Sequence, residues 1–231
     1  MSDIRDNVKR ARDRVAAAAG RSGRSSDDVT IVGVTKTFGA DVVTALVEAG
    51  VTDVGENRVQ EFLVKAPEVE VPCRWHLVGH LQSNKASKLI GRFHLIQSID
   101  SVRIAQTLDR LGAERNLQSR VLLQVNTSGE SSKHGFAEDA IADAAGEIAE
   151  CMHVTVAGLM TIGPVSQAES ATRDCFRRLY ALREKIRSEH DLELRELSMG
   201  MSGDFEAAIE EGATIVRLGR ILTGERGPVA G

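Results

Sequence analysis

One lysine, Lys36, closes the apolar run VTIVGVTK at 29–36 and precedes Thr37, Phe38 and Gly39. Val29, Ile31, Val32 and Val34 are β-formers in a short stretch, as in a strand buried on both faces. A strand that feeds an amine into a loop fixes the position of a nucleophile, although most strand-end lysines are simply solvated. The second chemical stretch is SMGMSGD at 198–204, followed by the helical pattern FEAAI. Gly200 and Gly203 let the backbone approach a ligand closely, and Ser198 and Ser202 supply hydroxyls. A helix start adds unpaired N–H groups and the positive end of its dipole, a combination that binds phosphate. Ser202 and Asp204 could serve as plain helix caps, but capping alone does not call for glycine at 200 and 203. Arg217, Leu218 and Gly219 form the third stretch. An amine facing a phosphate grip suits a phosphorylated carbonyl compound held through a Schiff base. Two classes fit: a sugar-phosphate aldolase, or a protein that holds pyridoxal 5'-phosphate (PLP).

The elements that must position these groups alternate along the chain. Strand patterns occupy 29–35, 52–55, 75–78, 94–98, 120–126, 154–160, 192–198 and 214–218. Helical apolar spacing separates most of them, for example Val42, Val43, Leu46 and Val47, or Phe176, Leu179, Leu182 and Ile186. Strict βα alternation implies parallel pairing, and eight such units close into a barrel. The fold expected is therefore α/β, a single-domain (β/α)8 TIM barrel spanning 1–231. An open doubly wound sheet is less suited, because no GxGxxG follows the first strand. Ile4, Val8, Ala11, Val15 and Ala18 mark one apolar helix face before the barrel begins, so residues 1–20 are expected as an extra N-terminal helix packed on it. In such a barrel the chemistry sits just after the strand ends. That places Lys36, Asn57, the 198–204 stretch and Arg217 to Gly219 on one face.

Composition narrows the partners. The 231 residues carry a net charge of −4, and aromatics make up only 3%. Neither a basic patch nor a stacking surface for nucleic acid is expected. Cys73, Cys151 and Cys175 are far apart and form no CxxC pair, so a disulfide framework or metal site is not expected and a reducing, cytoplasmic setting fits. No membrane span and no apolar signal core are apparent. With no exposed apolar face evident, a monomer is expected.

At these residues the sequence resembles the pyridoxal phosphate homeostasis proteins, whose fold matches the barrel domain of alanine racemase. The matching stretches are VGVTKT at 32–37, GENRVQE at 55–61, WHLVGHLQSNK at 75–85, LLQVNTSGESSKHG at 122–135, GLMTIG at 158–163 and LSMGMSGDFEAAIEEGATIVRLG at 197–219. Val54 and Gly39 depart from the family's usual residues without touching the chemistry. The resemblance implies that Lys36 carries PLP as a covalent aldimine and that Ser198, Ser202 and Gly219 hold the phosphate with amides of the seventh loop, Met201 included. It further implies that Arg217 faces the pyridine nitrogen and that Asn57 and Met160 line the ring. The implied role is PLP storage or delivery, with PLP-dependent apo-enzymes as partners. A PLP-dependent amino-acid racemase remains an alternative. An arginine at the pyridine nitrogen, always cationic, weakens the electron sink that most PLP enzymes need.

Racemization also needs a second base. The chain's one tyrosine, Tyr180, falls mid-helix after strand six, on the outside of the barrel. The short tail after Leu218 leaves no expectation of a second domain to supply one, and no catalytic residue is assigned. His76 and His80 are four apart across a strand end, where that spacing does not converge on a metal, so structural or ring-contact roles are expected. His134, beside Lys133, is expected in solvent. Glu56 is either a proton-handling group or the partner of a basic residue.

Overall fold

A computed structural model describes residues 3–130, 134–164 and 168–224. Each buried segment of the sequence becomes a barrel stave or the helix that covers it. In chain order these are α1 (Ile4–Arg21), β1 (Thr30–Val34), α2 (Ala40–Glu48), β2 (Asp53–Glu56), α3 (Val59–Lys65), β3 (Arg74–Leu77), α4 (Ala86–Leu89), β4 (Leu95–Ile99) and α5 (Val102–Arg115). There follow β5 (Ser119–Gln124), α6 (Ile141–Ala149), β6 (Val154–Met160), α7 (Glu169–His190), β7 (Glu196–Met201), α8 (Phe205–Glu210), β8 (Ile215–Leu218) and α9 (Arg220–Thr223). The eight strands pair in sequence order, all in parallel, and β8 returns to β1 through Thr30↔Ile215 and Val32↔Arg217 to close the barrel. The expected α/β fold is the one found.

Side chains alternate across each strand, and the two sides differ in kind. The outward side chains form the large apolar layer against the helices, where Leu46, Leu108, Phe176, Leu179, Leu197, Met199 and Phe205 are fully buried. Each such side chain stabilises the fold by about 1.5–3 kcal/mol. The inward side chains make a small apolar group of Val32, Leu95, Leu122, Ala157, Met160 and Ile215. Polar His76, Gln97, Ser198 and Arg217 share that interior and are also buried.

The N-terminal helix earns its place by the stripe read in the sequence. Asp3 caps it by accepting from Arg5 N at 3.0 Å, and Val8, Ala11, Val15 and Ala18 are buried against the barrel. Asn7 Nδ2 donates to the Leu222 carbonyl at 3.0 Å, and Arg14 forks onto Glu206 at 3.1 and 2.8 Å. The helix thereby binds α8 and α9, which flank the last two strands. No described helix is long and apolar enough to cross a membrane.

Strand seven departs from the sequence reading. Expected at 192–198, it runs Glu196–Met201. The apparent alternation of Leu192 and Leu194 is broken by positive φ at Asp191 (52°) and Leu194 (30°), a conformation that strands exclude. Pairing of Met160 with Ser198 then carries the strand further along the chain. Its exit is made by Gly200 at φ 93°, where a Cβ would lie 2.6 Å from that of Ala208. Only glycine turns β7 onto α8 at that distance.

Candidate functional site

The strand C-termini open on a cleft of about 1280 Å³, lined among others by Lys36, Asn57, Met201, Ser202, Arg217 and Gly219. Six of the eight residues singled out from sequence thus meet in one place. The other two lie below it. Met160 is fully buried in the barrel interior, packed under Val78 and Ile162, which line the cleft floor. Ser198, once the strand is extended, is not in the seventh loop at all. It is an inward side chain of β7 with no exposure.

Lys36 sits where alternation along β1 brings it, two residues past the inward-facing Val34. Its side chain is exposed, and its amine forms no hydrogen bond or ion pair with any described residue. The backbone on either side is held firmly. Lys65, buried on α3, donates to the Thr35 carbonyl at 2.8 Å and to Glu56. Thr35 Oγ1 donates to the same Glu56 oxygen at 2.7 Å, and Thr37 N donates to Glu61 at 3.1 Å. That last bond secures a non-glycine residue at φ 68°. Glu56 is therefore the partner of a basic residue, one of the two roles left open by sequence. Burial pushes its carboxyl above the ordinary range, against the pull of Lys65 and Thr35.

Arg217 is the opposite case. It is 5% exposed, and its guanidinium donates to Ser198 Oγ at 2.6 Å and to the Thr161 carbonyl at 2.8 Å. Ser198 donates in turn to Gln97 Oε1 at 2.7 Å. Gln97 Nε2 lies 2.9 Å from His76 Nδ1, and His76 Nε2 lies 2.9 Å from Asp53 Oδ1. Because arginine only donates, the one proton of Ser198 must go to Gln97. Gln97 then offers its amide N–H to His76, which keeps its own proton on Nε2 and gives it to Asp53. Arg74 closes the far end by forking onto Asp53 at 2.8 and 2.5 Å. From Arg217 to Asp53 the donors of this column all point one way, and Arg74 donates back onto Asp53 from the far end. Burial lowers Arg217 to about 10, partly offset by Asp204, so it remains a cation at neutral pH. Burial also tends to raise Asp53, but the bonds from His76 and Arg74 prevail and hold it at about 2.

Ser202 and Gly219 are brought into contact: Gly219 N donates to Ser202 Oγ at 3.3 Å. Asp204 folds back to accept from Met201 N at 2.6 Å, which removes that amide from any ligand. Burial raises the Asp204 carboxyl despite this bond and the nearby Arg217. Around the rim, Arg21 and Arg173 are spent on Glu210 at 2.6 and 2.7 Å. Lys36, Arg217 and Arg220 form no ion pair with a described carboxylate, so the cleft keeps cationic groups for an anion.

The remaining candidates are also placed. His76 has its structural role in the column. His134 is exposed, as read from sequence, yet its ring stacks on that of His80 at 4.2 Å; Lys133 lies outside the described residues. Tyr180 is on the outer α7, 41% exposed, under the Arg183 guanidinium. Among the described residues the three cysteines form no disulfide. Gln97 was missed by sequence reasoning, because a glutamine inside an apolar strand carries no signal until its neighbours across the barrel are known.

Residues 2–227 match the family model described as alanine racemase, N-terminal domain. A pyridoxal phosphate homeostasis protein of Aquifex aeolicus (strain VF5) is 38% identical over 222 residues, covering 96% of this chain and 97% of the relative. The chain belongs to the pyridoxal phosphate homeostasis protein family. Among solved structures of similar fold, an unknown protein from Bifidobacterium adolescentis superposes with a TM-score of 0.91 at 36% identity, covering 95% of this chain and 94% of that one. PipY of Synechococcus elongatus PCC7942, solved with PLP bound, gives a TM-score of 0.81 at 32% identity, covering 91% of this chain and 100% of that one.

Proposed function

We propose that this protein binds PLP in the cleft, holds it as a Schiff base on Lys36, and stores or delivers it to PLP-dependent apo-enzymes. The observation that carries the reading is the unbonded Lys36 amine in the same cleft as the buried Arg217 and the Ser202–Gly219 pair. PLP supplies an aldehyde carbon to which the lysine nitrogen adds, with loss of water. The chain's part is to hold that amine at a fixed backbone position and to gather phosphate oxygens at Ser202, Gly219 and Arg220. Arg217 is assigned to the pyridine nitrogen and Asn57 to the ring, with Met160 supporting the floor from below. An arginine held by acceptors on its other edges can only donate, so the ring nitrogen facing it stays unprotonated and electron withdrawal is weak. That suits holding the cofactor more than using it. PLP-bound PipY and the names of the relatives support the ligand, and three cysteines that form no disulfide among the described residues support a cytoplasmic setting.

Borohydride reduction of the purified protein followed by peptide mass spectrometry tests the site. The adduct is expected on Lys36 and is abolished entirely in Lys36→Ala, whereas Arg217→Ala keeps the adduct but binds less firmly with a shifted visible spectrum. An adduct on another lysine overturns the assignment. Rapid Cα–deuterium exchange of L-alanine in D2O would favour the racemase, and trapping that requires a sugar phosphate would favour the aldolase.

A further inference from the structure

The loops after β3, β4 and β5 bring His80, Asp100 and His134 together on the rim of the cleft. His80 Nδ1 lies 2.9 Å from Asp100 Oδ2, and His134 Nδ1 lies 3.6 Å from the same oxygen. One candidate ligand atom from each residue falls within 4.8 Å of the other two. We propose that these three residues form a binding site for a zinc-type transition-metal dication, separate from the chemistry of Lys36.

The 2.9 Å contact is a hydrogen-bond distance and the 3.6 Å contact is not, yet both ring nitrogens approach one carboxylate oxygen. Two imidazole nitrogens and a carboxylate are a donor set that zinc-type ions take, and three protein ligands leave the fourth position for water or a second ligand. The rings stack 16° from parallel, so their in-plane lone pairs run side by side, and binding an ion beside Asp100 requires one or both rings to turn toward it.

The backbone under each ligand is held. Ser98 Oγ donates to the Gly79 carbonyl at 2.6 Å, next to His80. Asp100 follows β4 directly. Gln124 donates to the His134 carbonyl at 2.8 Å, and Phe136 N returns to the Gln124 carbonyl at 2.8 Å. A site carried on such fixed chain ends keeps its geometry. Side-chain exposure rises from 10% at Asp100 through 37% at His80 to 62% at His134, so the carboxylate forms the floor and an ion has an open path in. The scattered cysteines and the His76–His80 spacing gave no expectation of a metal, and residues 80, 100 and 134 converge only through barrel closure.

Titration of the full chain in PLP-free form, so that the cofactor neither absorbs nor chelates, tests the site. ZnCl2 is followed by calorimetry and CoCl2 by its visible d–d bands. One saturable Zn2+ per chain is expected, with cobalt bands of a four- or five-coordinate nitrogen-ligated ion. His80→Ala and His134→Ala should each weaken binding by at least about tenfold, while His190→Ala, at the end of α7, leaves it unchanged. Because His134 is mostly solvent-exposed, its variant keeps the wild-type melting curve and serves as the decisive one. Absence of saturable Zn2+ binding at millimolar metal, or wild-type affinity in His134→Ala, overturns the proposal.

Discussion

Two cations face the same cleft and are built in opposite ways. Arg217 is buried with its guanidinium fixed to Ser198 and Thr161, and through Ser198 to a column ending at Asp53. Lys36 has an exposed amine that bonds to no described residue, and what is fixed is the backbone around it, by Lys65 and Glu61. A group that orients a ligand gains from immobile donors, whereas a group that must make and release a bond needs a mobile head on a rigid base. The difference separates holding in place from exchanging.

The sharpest way to break that contrast is at the base of Lys36. Lys65→Met removes the counter-charge of the buried Glu56, whose Oε2 already has no hydrogen-bond partner. It should cost about 3–5 kcal/mol at neutral pH, read by urea denaturation, and the cost should shrink in acid as Glu56 takes up a proton. Equal stability of variant and parent would remove the pair from the account of Lys36.

Ser198→Ala cuts the column one bond from Arg217. A loss of about 1–3 kcal/mol is expected, and the borohydride adduct on Lys36 should persist while the visible spectrum of bound PLP shifts. Stability loss without any spectral change would mean that the column supports only the fold.

The far end of the column responds to pH. A carboxylate held at about 2 instead of its ordinary 3.8 contributes stability that is fully present above the ordinary value and is lost as pH falls toward 2. For Asp53 this amounts to at most about 2.5 kcal/mol, less whatever solvent screening takes from the half-exposed Arg74. Asp53→Asn should flatten the acid limb of the stability–pH curve by that amount; an unchanged limb would place the acid sensitivity elsewhere.

The smallest effect belongs to the outer face. Arg177 forks onto Glu211 at 2.9 Å but is 62% exposed. Arg177→Ala should change stability by under about 1 kcal/mol, and a larger loss in thermal melting would show that this rim network is more than a solvated face.

The barrel was legible because its signals are repetitive: βα alternation, apolar helix stripes and strand-end polar residues recur eight times and tolerate errors of a residue or two. That Lys36, Asn57, Ser202 and Gly219 line one cleft was legible for the same reason, since each follows a strand end, and Arg217 joins them from within the last strand. Ser198 was misplaced by the boundary of one strand. Shifting that end from 198 to 201 moves a serine from a ligand loop into the barrel wall, and the deciding facts, positive φ at Asp191 and Leu194 and the pairing with β6, are not local properties of the sequence. Gln97 and the His80–Asp100–His134 cluster were invisible because they depend on which strands are neighbours across or around the barrel.

The polar column has one further consequence. Arg217 opens onto the cleft and Arg74 is half exposed at the opposite end of the barrel, so a line of hydrogen bonds through the buried interior joins two solvent faces. Any coupling that it carries is reciprocal by thermodynamic necessity. If a ligand that draws on Arg217 alters the proton affinity of Asp53, then protonation of Asp53 alters, by the same factor, how tightly that ligand is held.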